Sequence, residues 1–328
     1  MLKIAMIGAS GHGTGYCVPA APTGDRIFTA VAPGSTGEEL TRLCARIAAF
    51  GSTPRVYGSY GALLAQEKPD VVVVDNFYGE HAPVIEAAFR AGCHVFAEKP
   101  VAASVAELDA LEKVYRASGV QFASMLDYRV HGAFTRARAL IESGAIGQVR
   151  LMNAQKSYKF GKRPEFMKNP RTYGGTIPWV GIHAIDWILW MSGGRFESVS
   201  AIKSARDAEN GVCPETTALA LFQMNDGMMA SLTVDYLNPT KFPRHGDDRI
   251  RIVGTAGEIE VRDNGVTLIN GDGVSHPEND PDGDLFTAFL RQIADGTPCG
   301  LTADEVFASA RGALMAQQAA ESGQSLRF

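Results

Sequence analysis

The chain has 328 residues, 45% of them hydrophobic and 20% charged, with a formal net charge of -5. That is long enough for two domains with proper cores. The small negative charge and the lack of a long basic run argue against nucleic acid or a membrane surface as the main partner. A small molecule is the expected ligand.

Met1-Leu2-Lys3-Ile4-Ala5-Met6-Ile7 reads as a strand, with no charged leader or apolar signal region before it, so a cytoplasmic protein is expected. The five cysteines, Cys17, Cys44, Cys93, Cys213 and Cys299, lie far apart without a Cys-x-x-Cys pair. They read as reduced thiols, and no compact metal signature accompanies them. The first strand runs into Gly8-Ala9-Ser10-Gly11-His12-Gly13-Thr14-Gly15, where glycines let the backbone approach a phosphate. A second strand over 27–32 follows, the context a dinucleotide fingerprint requires. Ser10 stands where the second fingerprint glycine is usual, and Pro19 and Pro22 predict a short or irregular first helix.

The end of the second strand ordinarily carries an acid for the adenosine ribose of NAD. Here it reads Ala32-Pro33-Gly34-Ser35-Thr36. Without a carboxylate at Pro33, Ser35, Thr36 and Arg42 become candidates to face a 2′-phosphate, and the cofactor choice, NAD or NADP, leans to NADP.

Beyond this the pattern alternates. A helix over 38–50, a strand over 55–57 and a helix over 59–66 lead to Asp70-Val71-Val72-Val73-Val74-Asp75, a valine run typical of a central parallel strand. Asn76 and the turn Gly79-Glu80-His81 open a helix that runs to residue 90. Ala91-Gly92-Cys93-His94-Val95-Phe96-Ala97 is a helix end followed by a buried strand, stopped by Glu98-Lys99-Pro100. A helix over 104–118 and a strand over 120–124 complete six strands alternating with helices. That is a doubly wound parallel sheet, with a domain expected over 1–124.

In such a sheet the carboxyl ends of the strands face the ligand crevice. Lys99 has a bland reading, a surface lysine paired with Glu98, and a sharper one, a cleft lysine stabilising charge on a substrate oxygen. Its place at a strand end before a proline favours the second. His81 reads as an orienting group or as a member of the cofactor end. The expected cofactor-side residues are Gly8, Ser10, Gly11, His12, Gly13, Pro33, Ser35, Asn76, His81, Glu98 and Lys99.

The second half, expected as a domain over 125–328, changes character. A helix over 133–143 is followed by alternating segments over 149–158, 196–204, 216–224, 228–236, 250–253, 258–261 and 266–269, which read as a large, mainly antiparallel sheet. Within it, residues 183–191 are apolar almost all round and predict a buried helix. His183 at its start is a satisfied core group on one reading. Paired with Lys99, it becomes the candidate general base that takes a proton from a substrate hydroxyl. The cationic, aromatic stretch Lys156-Ser157-Tyr158-Lys159-Phe160-Gly161-Lys162-Arg163 is either a solvated loop or a pocket wall. Residues 271–283 are a polar loop whose spacing matches no calcium site. Helices over 286–294 and 303–322 close the chain.

The glycine loop, residues 70–74, Gly79-Glu80-His81, Ala91-Gly92-Cys93-His94-Val95, Glu98-Lys99-Pro100, Tyr128-Arg129 and a Gly-x-His-x-x-Asp at Gly181, His183 and Asp186 together resemble the glucose-fructose oxidoreductase / inositol dehydrogenase / rhizopine catabolism (Gfo/Idh/MocA) family. The resemblance implies NAD(P)-dependent hydride transfer to or from a carbon of a sugar, cyclitol or related hydroxylated compound. It implies Lys99 and His183 as the catalytic pair, and a sheet face left for a homodimer or homotetramer. It also puts Arg129 and Tyr236 near the substrate. A frequent family aspartate four residues before the histidine is Trp179 here, which exchanges a charge for a stacking surface. The expected substrate side is therefore Lys99, Arg129, Tyr158, Arg163, Trp179, His183 and Tyr236. Two alternatives stand beside this reading. An acyl-phosphate reductase needs a nucleophilic cysteine that no convincing position supplies. A non-catalytic sensor or regulator on the same fold is compatible with the losses at Pro33 and Trp179.

Overall fold

A computed structural model of the chain describes residues 1–161, 164–204, 215–262 and 264–328. Arg163 and Cys213 lie outside them. The chain packs as two compact units. The first comprises Met1–Met125, Arg171–Gly174 and Leu285–Ala310, and the second Leu126–Pro170, Gly175–Asp284 and Arg311–Phe328. A single division after residue 124 differs from this in the short segment 171–174 and in residues 285–310.

The first unit contains β1 (Leu2–Ile7), α1 (Gly13–Tyr16), β2 (Arg26–Ala32), α2 (Thr41–Phe50), β3 (Arg55–Val56), α3 (Tyr60–Glu67), β4 (Val71–Val74), α4 (His81–Arg90), β5 (His94–Ala97), α5 (Val105–Ser118) and β6 (Phe122–Ser124). The six strands form one parallel sheet in the order β3-β2-β1-β4-β5-β6. The order reverses between β1 and β4, and at such a switch point the strand ends open a ligand crevice. All four valines of β4 are buried, as its unbroken apolar run requires. α1 is a single turn, in keeping with the two prolines that follow it. α2 starts three residues later than expected, because residues 33–40 form a loop tied by Glu38.

The second unit begins at Leu126 with α6 (Gly132–Glu142) and β7 (Val149–Tyr158). A short α7 (Pro170–Tyr173), whose residues from Arg171 on belong to the first unit, comes next in the chain, then a π-helical turn at Ile177–Gly181 that runs into α8 (Ile182–Ser192). The remaining strands are β8 (Phe196–Ser204), β9 (Thr217–Met224), β10 (Met229–Asp235), β11 (Gly246–Gly254), β12 (Gly257–Arg262), β13 (Gly265–Asn270) and β14 (Gly273–Ser275). α9 (Leu285–Asp295), α10 (Ala303–Ser322) and β15 (Leu326–Arg327) end the chain. The nine-stranded sheet runs β14-β13-β12-β11-β7-β10-β9-β8-β15, antiparallel except between β7 and β10. Trp187 of α8 packs against Phe134 of α6 and Tyr128, with ring centroids 4.7 and 4.8 Å apart. The opposite face of β8, β9 and β10 leaves Ile202, Leu219, Leu221 and Met229 exposed. No helix among the described residues is long and apolar enough to cross a membrane.

Candidate functional site

The expected residues divide between the two units. In the first, the loop after β1 lies directly on the ends of β4 and β5. The Gly8 amide donates to Ala32 O at 2.9 Å and the Ser10 amide to Asp75 O at 2.7 Å. An ideal Cβ on Gly11 would stand 2.4 Å from Asp75 Oδ1 and 2.8 Å from Glu98 Oε2, so only glycine allows this approach. Gly13 faces the Asp75 carboxyl in the same way.

Beneath the loop lie two fully buried acids. Glu98 Oε2 accepts the His12 amide at 2.8 Å and His12 Nδ1 at 2.7 Å, and Glu98 Oε1 accepts the Lys99 amide at 2.9 Å. Burial opposes the Glu98 charge, but Lys99, His12 and these hydrogen bonds outweigh it and hold its carboxyl down at about 2. Asp75 is the reverse case. Burial, with the Glu98 carboxylate beside it, pushes its carboxyl well above the ordinary range. Lys99 is itself buried, its Nζ 4.0 Å from Glu98 Oε1.

Asn76, at the end of β4, donates to Ser35 Oγ at 3.1 Å and to Glu80 O at 2.9 Å. Its own Oδ1 is buried and has no hydrogen-bond partner among the described residues. A buried orphan acceptor calls for a donor from elsewhere. Together with the glycine loop pressed onto the strand ends, it shows that these residues fit a dinucleotide. His81 is fully buried, with Nδ1 2.6 Å from Pro100 O and Nε2 3.1 Å from Asn76 O. Burial pushes its ring below the ordinary histidine value while both carbonyls favour the protonated form. His81 thus ties the segments after β4 and β5 together through both ring nitrogens, the orienting role its place at the head of α4 offered. Pro33 follows directly on β2, beside the Glu38 loop.

In the second unit, His183 opens α8 with its ring against Tyr128, centroids 5.3 Å apart, and its Nδ1 4.0 Å from Asp127 Oδ1. Tyr128 and Arg129 sit on the 3-10 turn Asp127–Val130. Arg129 Nε and Nη2 donate to Asp186 Oδ2 and Oδ1 at 2.9 and 2.8 Å, and both side chains are 1% exposed. This bidentate pair clamps α8 at Asp186, one helical turn past His183.

Trp179 lies in the π-helical turn and is 4% exposed, and Tyr236 is 3% exposed, so neither leaves much of its ring open to a ligand. Tyr158 is half-buried, with its ring centroid 4.9 Å from that of His245.

Lys156 was not singled out as a site residue. It is fully buried, donates to Asp248 Oδ2 at 2.7 Å and Tyr128 Oη at 2.9 Å, and lies over the rings of Tyr128, Tyr158 and Trp187. Burial opposes its charge, yet the surrounding groups raise its pKa well above the lysine value. The signal was present in β7, where Met152, Ala154 and Lys156 alternate onto the buried face. A lysine on an apolar face needs partners. Among the described residues no group of three His, Cys, Asp or Glu is arranged to hold a metal ion.

Comparison with known proteins agrees with this architecture. Among curated proteins, the D-xylose 1-dehydrogenase (NADP(+)) 2 of Haloferax volcanii is 29% identical over 186 residues, 56% of this chain and 55% of that one. The trans-1,2-dihydrobenzene-1,2-diol dehydrogenase of Mus musculus is 26% identical over 181 residues, 55% of this chain and 53% of that one. The chain thus spans about half the length of the curated relatives it matches. A solved Thermotoga maritima structure described as an oxidoreductase is 38% identical, covers 100% of both chains and superposes with a TM-score of 0.95. Residues 2–125 match the oxidoreductase family with an NAD-binding Rossmann fold, and residues 134–260 match the GFO/IDH/MocA C-terminal domain. With both halves matched in chain order, this protein belongs to the Gfo/Idh/MocA oxidoreductase family.

Proposed function

We propose that the protein is an NAD(P)-dependent dehydrogenase acting on a ring hydroxyl of a sugar, cyclitol or cyclic diol. The observation that carries the reading is Lys99, buried beyond the carboxyl end of β5 beside Glu98, whose carboxyl Lys99 and His12 together hold low. A lysine held rigid and desolvated there donates a directed hydrogen bond to a substrate oxygen and stabilises charge as it develops. A bound nicotinamide supplies the hydride acceptor or donor. His183 takes or returns the hydroxyl proton on its imidazole, with Asp127 Oδ1 4.0 Å from its Nδ1. The Arg129–Asp186 clamp holds α8, and with it His183, in place.

The substrate class is supported by the activities for which the relatives are named, one on D-xylose and one on a dihydrobenzene diol. Self-association through the exposed apolar face of β8, β9 and β10 belongs to the same proposal, since Ile202 pairs with Leu219 across the strands and Leu221 lies two residues on, on the same side.

The test is a screen of aldoses, cyclitols and cyclic diols with both dinucleotides, followed by Lys99→Ala and His183→Ala. Each variant is expected to abolish turnover on the substrate found while still binding dinucleotide. Wild-type turnover in either variant refutes the assigned mechanism.

A further inference from the structure

The loop between β2 and α2 holds a carboxylate where the strand end itself has none. Glu38 Oε2 accepts the amides of Gly34 at 2.8 Å and Ser35 at 2.9 Å, while Oε1 accepts the Ser10 hydroxyl and the Ala9 amide, the latter at 3.3 Å. Four donors from the ends of β1 and β2 thus converge on one anion. The chain is shaped for this arrangement. Gly37 takes φ +84, a left-handed turn that brings the Glu38 side chain back over its own loop. Ser35 Oγ accepts from Asn76 Nδ2 at 3.1 Å and from the Phe77 amide at 3.2 Å, which pins the loop to the end of β4. Gly34 lies so close to Asn76 that a Cβ there would stand 2.5 Å from Asn76 Cβ.

In a dinucleotide fold of this strand order, the region beyond the second strand meets the adenosine ribose. A carboxylate there receives ribose hydroxyls, and a 2′-phosphate instead needs a cation and open donors. We propose that Glu38 makes this protein selective for NAD(H) over NADP(H). The inference rests on the dehydrogenase reading above and deepens it. Glu38 places a negative charge beside the position that Pro33 leaves without one, where it opposes a 2′-phosphate, and it occupies from within the chain the N–H and O–H donors that such a phosphate would require. On this proposal the lean to NADP drawn from the sequence is reversed, because Ser35, expected to face the phosphate, is buried, donates its amide to Glu38 and has its hydroxyl oxygen pinned by Asn76 Nδ2 and the Phe77 amide. Arg42 pulls the other way, exposed on the first turn of α2. A single solvated guanidinium does not offset a phosphate dianion set against a carboxylate that already holds its donors.

The experiment titrates the full-length protein with NADH and with NADPH by nicotinamide fluorescence, and competes each with 5′-AMP and adenosine 2′,5′-bisphosphate. Wild type is expected to bind NADPH about 100-fold more weakly than NADH, the scale of like charges meeting at a partly solvated site. Adenosine 2′,5′-bisphosphate should compete more weakly than 5′-AMP. Glu38→Gln is expected to narrow the gap to about tenfold or less by improving NADPH binding, whereas Glu39→Gln, exposed next door, leaves the ratio unchanged. If Glu38→Gln melts below the assay temperature, the wild-type ratio and the two adenosine competitors decide alone. Equal or tighter NADPH binding by wild type overturns the role of Glu38 and leaves the dehydrogenase reading standing. So does an unchanged ratio in folded Glu38→Gln. Binding of neither dinucleotide overturns the dehydrogenase reading itself, and this inference with it.

Discussion

Removing the Arg129 guanidinium tests whether this residue is a structural clamp or a substrate ligand. In Arg129→Met the Asp186 carboxylate stays in place, 1% exposed, and loses both charge-assisted hydrogen bonds at 2.8 and 2.9 Å. Stranding one partner of a buried ion pair costs about 3–5 kcal/mol. With a urea slope of about 2–3 kcal/mol per molar, the midpoint for unfolding should fall by about 1–2 M. The double variant Arg129→Met/Asp186→Leu removes the buried charge as well and should recover most of that loss, giving a coupling of at least about 2 kcal/mol. Urea denaturation followed by far-UV circular dichroism and tryptophan fluorescence measures all four corners of the cycle, since Trp187 and Trp190 lie on α8 itself. A loss below about 1 kcal/mol in Arg129→Met, or no recovery in the double variant, refutes the clamp. A raised KM with unchanged stability would return Arg129 to the substrate site.

Two further outcomes follow from buried or exposed groups. Asp75 has a folded-state pKa well above its ordinary 3.8. Above that ordinary value the native protein therefore binds the proton that the unfolded chain releases, and stability falls as pH rises through the window up to the folded pKa. Asp75→Asn should be more stable than wild type by at least about 1 kcal/mol near about pH 8, with the advantage vanishing below about pH 4. Thermal melts that show a constant difference across this range refute the assignment. On the outer sheet face, Leu221 is 64% exposed between Ile202, Leu219 and Met229. Leu221→Lys should weaken self-association by about tenfold or more, because a symmetric interface buries the new charge twice. Sedimentation showing a monomeric wild type refutes this use of the face.

Most strands and helices of both units, and with them the parallel sheet and the mainly antiparallel one, were legible in the residues alone. Val71–Val74, the glycine loop and the alternating runs from residue 149 onward each carry their conformation in local periodicity and turn chemistry, which need no distant partner. The short edge strands β14 and β15, of 3 and 2 residues, escaped notice because so few residues hold no period. How the charged groups pair was not legible there and emerged with the folded chain. Arg129 meets Asp186 across 57 residues, Lys156 meets Asp248 across 92, and Glu38 meets Ser10 across 28. Such pairings follow from the desolvation cost of a charge and the geometry of whichever donors the fold brings to it, and neither is periodic along the chain. For that reason Lys99 was legible at its strand end, whereas the clamp at Arg129, the buried amine of Lys156 and the carboxylate of Glu38 became visible only once the strands were in register.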